Sequence, residues 1–183
     1  KANNLLSAFA GESLNGTWQM IVTNSQNFTG TLDWSLLVNS SLSSPTVTIS
    51  STESPATDTS SIPITVSFNE YVRGFESSDI TVTNGSVTSL IYTGSDNAYN
   101  ASITPTSTGT VAIDIDEDKV ENRAYYGNTA ASQLTIDYNN GPVWYVSTTG
   151  SGTDGIGSTN YPFATIQAGI DAASDGDTVL VAA

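Results

Sequence analysis

The densest set of chemically competent side chains is the run Asp114-Ile-Asp-Glu-Asp118. If the strand leading into it continues, Asp114, Asp116 and Asp118 project from one face at period two. Carboxylates held together repel one another. A calcium ion, which takes several carboxylate and carbonyl oxygens, relieves that repulsion. The spacing is not that of an EF-hand: the sixth position is Lys119 rather than Gly, and the twelfth is Tyr125 rather than Glu. Two readings stand side by side. One is a solvated acidic edge, partly compensated by Lys119 and Arg123. The other is a calcium site of modest affinity on Asp114, Asp116 and Asp118, with Glu70 and Asp79 as further oxygen donors. No other cofactor is expected.

Other motifs reduce to simpler readings. Gly150-Ser-Gly-Thr-Asp-Gly155 spells a GxGxxG pattern after a strand. A dinucleotide site needs a helix to start at once after the glycines, and here Gly157, Ser158 and Pro162 intervene, so a flexible loop is expected. Glycoside hydrolysis needs two carboxylates across a cleft with separated pKa values; no pair in the sequence has that character. Asp175 and Asp177 flank Gly176, which is turn chemistry. Tyr125-Tyr126 sit in an expected loop, where they either pack or stack on a saccharide. Trp18, Trp34 and Trp144 lie on apolar strand faces and are read as core. Asn15, Asn27, Asn39, Asn84 and Asn100 begin Asn-x-Ser/Thr triplets, which a chain this rich in those residues forms by chance.

The absences narrow the function further. Among 183 residues there is no His and no Cys. That removes Ser–His–Asp and Cys–His catalysis, imidazole and thiolate metal sites, and disulfides from within this chain. Lys+Arg number 4 against Asp+Glu 18, for a formal net charge of −14. Four cations cannot neutralise a track of phosphates, so no nucleic-acid partner is expected. Anionic membranes repel such a chain, and no apolar run approaches the ~18 residues of a spanning helix.

The elements that would position these residues are strands. Thr17–Thr23 and Thr31–Val38 alternate apolar and polar residues. Between 45 and 138 comes a series of short strands, through Val47 and Ile49, Ile62 to Phe68, Ile80 and Val82, Val87 to Tyr92, Tyr99 to Ile103, Val111 to Ile115, and Leu134 to Tyr138. Asn84-Gly85, Gly94, Gly109 and Gly127-Asn128 punctuate them. Seven such strands are what an immunoglobulin-like sandwich requires, although the Cys–Trp–Cys core of antibody domains is absent. After 142 come the strand Trp144–Ser147, the Gly-rich loop Gly150–Asn160, a helix over Ala164–Ala173 with Ile166, Ile170 and Ala173 at helical spacing, and the strand Thr178–Val181. This last unit is too short to bury its own face.

Three resemblances attach to these segments. Phe9-Ala-Gly-Glu-Ser-Leu-Asn-Gly-Thr-Trp18, Ile21-Val-Thr23 and Thr29-Gly-Thr-Leu-Asp-Trp-Ser-Leu36 resemble the C-terminal end of the P domain of kexin- and furin-like proprotein convertases. There the jelly roll stabilises a neighbouring subtilisin-like protease and carries no catalytic residue. Pro45-Thr-Val-Thr-Ile49, Ile62-Pro-Ile-Thr-Val-Ser-Phe-Asn-Glu70, Val72-Arg-Gly-Phe75, Asp79-Ile-Thr-Val-Thr-Asn-Gly85 and Gly127-Asn-Thr-Ala-Ala-Ser-Gln133 resemble a bacterial Ig-like repeat, which implies a stalk, spacer or adhesion module. Trp144-Tyr-Val-Ser147, Tyr161-Pro-Phe-Ala-Thr-Ile-Gln-Ala-Gly-Ile170 and Asp175-Gly-Asp-Thr-Val-Leu-Val181 are similar to the start of a right-handed parallel β-helix of pectate-lyase-like proteins. The short helix would then cap the solenoid.

The expected fold is all-β: an Ig-like β-sandwich flanked by a partial jelly-roll end and a partial β-helix cap. The expected boundaries are 1–40 for the jelly-roll end, a linker at 41–44, the sandwich at 45–138, a linker at 139–141, and the β-helix start at 142–183. Both chain ends are expected to be cuts from something longer. The chain is read as non-catalytic, part of a large secreted or cell-surface bacterial protein. Its partners would be other domains of the same polypeptide and a surface polysaccharide or protein. The alternative is an accessory region of an extracellular enzyme, a subtilisin-like serine endopeptidase or a polysaccharide lyase. Only 45–138 can close its own core, so proteases are expected to trim both flanks.

Overall fold

The computed structural model describes residues 43–95 and 97–182. The resemblance of residues 1–40 to a jelly roll, and the readings of Trp18 and Trp34, lie outside the described residues.

Two four-stranded sheets pack face to face. The first has the order β1 (Val47–Ser50), β3 (Ile62–Phe68), β6 (Ala98–Pro105), β5 (Gly85–Tyr92). The second has the order β2 (Ala56–Thr57), β8 (Leu134–Tyr138), β7 (Gly109–Asp114), β4 (Thr81–Thr83). All pairs are antiparallel except β2 on β8. The alternation seen in the sequence is the cause. In β3, Ile62, Ile64, Val66 and Phe68 all point inward and are buried. Val111, Ile113 and Ile136 meet them from the second sheet, with Ile115 just beyond β7. Each buried aliphatic side chain of this size contributes about 1.5–3 kcal/mol relative to exposure. The fold is therefore an all-β sandwich, as its strand spacing predicts. The two-residue β2 is the strand that alternation could not reveal.

One strand departs from simple alternation. A bulge in the β5–β6 pairing lies between Val87 and Ser89. It shifts the phase, so that Val87 and Leu90 both pack on the core while Ile91 is 65% exposed. The turn between β4 and β5 is held by Asn84, at φ 58. Its amide donates to the Ser107 carbonyl at 2.8 Å and its oxygen accepts from the Ser107 hydroxyl at 2.9 Å.

The chain enters and leaves the sandwich at opposite ends. Thr46 exchanges hydrogen bonds with Asn69, just past the end of β3, at 2.8 and 3.1 Å. At the other end Tyr138, the last residue of β8, lies beside Gly109, the first of β7.

Residues 139–141, read from sequence as a linker, are held firmly. Asn139 and Gly141 are buried. The Asn139 amide donates to the Ile156 carbonyl at 3.0 Å, and the Thr108 hydroxyl donates to the Gly141 carbonyl at 2.8 Å. Beyond them β9 (Val143–Ser151) and β10 (Thr178–Val181) form a parallel pair, joined by α1 (Ile166–Ala172). The Thr165 hydroxyl caps the helix by accepting from the Ala168 N–H at 3.2 Å. The helix is shorter than the expected Ala164–Ala173, and its apolar stripe faces outward. Ile166 and Ile170 are exposed, and the helix docks through Gly169. A β-carbon there would sit 2.9 Å from both Val146 Cγ2 and Val179 Cγ1. Only glycine lets the helix lie this close to both strands. No helix among the described residues is long and apolar enough to cross a membrane.

Candidate functional site: an aromatic groove

Loops collect at the end where the chain enters the sandwich, and they build a groove of about 330 Å³. Its walls come from the segment after β3 (Tyr71 to Phe75) and from the β5–β6 hairpin (Tyr92, Asn97 and Tyr99). Tyr92 and Tyr99 are cross-strand partners. Gly74, at φ +86, turns the chain so that Phe75 comes back over β3. Phe68, Phe75 and Tyr99 then lock edge to face, with Tyr92 tilted against Tyr99. Phe75 lies 5.2 Å from Phe68 and 4.9 Å from Tyr99, and Tyr99 lies 5.1 Å from Tyr92. Such pairs add about 0.5–1.5 kcal/mol to the area they bury. The outer rings stay open: Tyr71 is 48% and Tyr92 51% exposed. Burial pushes the Tyr99 phenol upward, and the neighbouring Tyr92 and Tyr71 hydroxyls add to the effect.

The loop 116–129 supports this groove from the side. Asn128 is 2% exposed and acts as its keystone. Its side-chain oxygen accepts from the Lys119 and Val120 N–H groups at 2.8 and 3.0 Å. Its amide donates to the Asp116 and Thr129 carbonyls at 2.8 and 2.9 Å. Asn122 does the same further along, accepting from the Ala124 and Tyr126 N–H groups at 2.9 and 3.1 Å and donating to the Ser43 carbonyl at 3.0 Å. This turn holds Tyr125 at φ 65. The Arg73 guanidinium lies 4.0 Å from the centre of the Tyr125 ring and 3.1 Å from the Glu121 carboxylate. Arg123 lies over Tyr71 at 4.7 Å. The hydrogen bond with Tyr125 raises the Arg73 pKa further, with Glu121 helping and desolvation opposing. Two of the four basic residues are therefore stacked on tyrosines at this end.

The acidic residues singled out from sequence go to separate duties. Asp114 ends β7 and accepts from the Gln133 amide at 2.6 Å. Asp116 engages Asn128 through its backbone carbonyl. Asp118 sits at φ 58, with its carboxylate over the α-carbon of Gly127. Glu70 accepts from the Asn122 amide at 3.3 Å, and Asp79 accepts from the Glu76 N–H at 2.8 Å. Among the described residues no group of three or more acidic side chains is placed to hold a metal ion. The GxGxxG pattern also resolves: Gly150 belongs to β9, and the helix does not start until Ile166.

Of the aromatics flagged from sequence, Tyr125 is 72% exposed beside the groove and Trp144 is buried under the β9–β10 pair. Tyr71, Phe75, Tyr92 and Tyr99 carry the groove, and none stood out in the sequence. A signal was present: Tyr92 ends one expected strand and Tyr99 starts the next, with the turn residue Gly94 between them. A second groove of about 440 Å³ crosses the outer face of the first sheet. Its lining is mostly small and polar, and its Thr65 and Asn100 side chains already bond each other at 3.3 Å.

Residues 41–138 match the family model of the bacterial Ig-like domain, and the chain belongs to that family. No curated protein matches the chain.

Proposed function

We propose that this bacterial Ig-like domain is a non-catalytic module for spacing, display or adhesion within a large secreted or cell-surface protein. The observation that carries the reading is the placement of its ends. The chain enters beside Asn69 and leaves beside Gly109, at opposite ends of a sandwich that closes its own core. Such a unit adds length when joined in series, and its loops face outward at each end. Its buried polar side chains hold loops in place, as Asn122 and Asn128 do.

The test has two arms. An antibody raised against residues 45–138 should label intact cells of the source organism. The chain incubated with casein or polygalacturonate should release no product. Labelling only after lysis, or turnover of either polymer, sinks the reading.

A second reading is favoured by one observation. β10 lies parallel to β9 through the α1 crossover, and its outer edge has no partner among the described residues. That suits the first rung of a parallel solenoid, and so an accessory region of an extracellular enzyme. Sequencing the encoding DNA on both sides decides it. An Asp, His and Ser set upstream points to a subtilisin-like protease, and a basic cleft on later rungs to a polysaccharide lyase. Further Ig-like repeats with neither would leave the spacer.

A further inference from the structure

We propose that the groove between Tyr71, Phe75, Tyr92 and Tyr99 binds a short neutral oligosaccharide. The inference deepens the adhesion reading by giving it a ligand class, and it rests on that reading for its biological setting only. The lining makes the argument. Phe75 and Tyr99 form a floor of rings fixed by mutual edge contacts at 4.9 Å. Tyr71 and Tyr92 stand at the rim about half exposed. Ring faces present flat apolar surface to the axial C–H side of a pyranose, at little entropic cost because a tyrosine has only two χ angles to fix.

The polar groups select the same ligand. The hydroxyls of Tyr71, Tyr92 and Tyr99 and the side-chain amide of Asn97 make no hydrogen bond to any described residue. A sugar hydroxyl both donates and accepts, so it can satisfy phenols and an amide together. A proline-rich peptide offers carbonyl acceptors but few donors, and so leaves the Asn97 side-chain carbonyl unmatched.

Charge removes the remaining classes. Among the described residues no Asp or Glu lines the groove, which gives a basic peptide no carboxylate anchor there. Arg73 is committed to Glu121 and Tyr125; Arg123 lies over Tyr71, but the chain as a whole carries −14, which disfavours acidic polymers. The volume of about 330 Å³ lies at the lower end of ligand clefts, ~300–1,000 Å³, and so suits one or two sugar rings.

The experiment is titration of the full isotope-labelled chain, read by backbone amide shifts. The probes are pentasaccharides of β-1,4-glucose, α-1,4-glucose, mannose and β-1,4-N-acetylglucosamine, each raised to about 10 mM. A galacturonate pentamer and a proline-rich decapeptide are the competitors. At least one neutral sugar should shift the amides of 71–75, Tyr92, Asn97 and Tyr99 in a saturable way. Tyr92→Ala and Tyr71→Ala should each weaken it about tenfold or more. Tyr92→Phe should keep most of the affinity, because the ring face remains, and Ile91→Ala should leave it unchanged. Silence from every neutral sugar overturns the proposal. So do shifts indifferent to Tyr71 and Tyr92, or tighter binding of galacturonate or the peptide. None of these outcomes touches the spacer reading, which is tested separately by turnover, by labelling of intact cells and by the flanking DNA.

Discussion

The indole Nε1–H of Trp144 donates to Asp177 Oδ2 across 2.9 Å, joining the start of β9 to the turn before β10. The same carboxylate oxygen accepts the Ser174 N–H at 2.9 Å. One side chain thus orients both the indole and the turn. Gly141 closes over this pair, and a β-carbon there would meet the indole at 3.2 Å and Asp177 at 3.4 Å.

This arrangement fixes a pH response. The Ser174 N–H, and next the indole, hold the Asp177 carboxyl below the usual carboxylate range, with desolvation opposing. A group whose folded pKa is depressed stabilises the fold above its unfolded pKa, and that contribution is lost as pH falls through the folded value. The Trp144 indole proton resonance should therefore be constant near neutrality and move only below the ordinary carboxylate range. In Asp177→Asn the low-pH transition of that resonance should vanish. A transition that survives the substitution assigns it to another group.

Asn128 gives the sharpest stability test. Removing its side chain leaves two N–H groups and two carbonyls of a tight loop without partners. At about 1–3 kcal/mol for each buried group left unsatisfied, with some recovered by water, Asn128→Ala should cost about 3–5 kcal/mol. Asn128→Asp keeps the accepting half only, and places a carboxylate against the Asp116 and Thr129 carbonyls, so it should cost at least as much as one lost pair. Urea midpoints measure both. A loss below about 1 kcal/mol would mean the loop does not depend on this residue.

The core and the sheet surface should separate cleanly. Ile136 is fully buried opposite Val111, whereas Ile91 lies outside because of the bulge. Ile136→Ala should cost about 2–5 kcal/mol, and Ile91→Ala should stay within about 0.5 kcal/mol. Both should leave the denaturant slope unchanged. A large effect at Ile91 would place that residue inward and contradict the bulge.

The range of each interaction decides how far it was legible in the sequence. Period-two alternation at Ile62–Phe68 and Val111–Ile115 is set by local geometry, so the sandwich strands could be read directly. The bulge at Val87 to Ser89 breaks that period, and β2 is two residues long, so neither leaves a periodic trace. The helical spacing of Ile166 and Ile170 was legible, but the direction they face was not. Gly169 decides that direction, because only a residue without a β-carbon can touch both strands. The aromatic groove was the least legible part. Its residues come from the segment 71–75 and from Tyr92, Asn97 and Tyr99 of the β5–β6 hairpin, and meet only through the sandwich. Asn128 read as a turn former and Asn122 carried no signal, since nothing local distinguishes a solvated Asn from one with four partners.

Calcium should leave the described region unaffected. Asp114 turns to Gln133, while Asp118 rests against Gly127. A cation bridging Asp114, Asp116 and Asp118 would have to break these contacts first. Melting curves in millimolar calcium and in chelator should coincide. A site filled at a hundredfold excess over its dissociation constant would add about 2.7 kcal/mol. A rise of that size, abolished by Asp116→Asn, would establish the calcium reading and show that the turn rearranges.

Limited proteolysis tests how the last segment is attached. Asp137 is buried in β8, and its carboxylate accepts from the Ser158 hydroxyl at 3.2 Å and the Asn160 amide at 2.9 Å. With the Asn139 bond to Ile156, these contacts tie the loop 156–160 to the end of the sandwich. The loop in turn bonds β9, through the Tyr145 N–H and the Gly157 carbonyl at 2.8 Å. Residues 142–182 should thus resist proteases together with the sandwich, in contrast to the trimming that their length alone predicts. Hydrogen bonds to a charged acceptor contribute about 1.5–3 kcal/mol each. Asp137→Ala removes two of them, so cleavage after residue 139 should accelerate tenfold or more while 45–138 survives as the stable fragment. If the unmodified chain is cut there as fast as the variant, the segment opens independently of Asp137. Its order would then rest on the pairing of β9 with β10, and not on the sandwich.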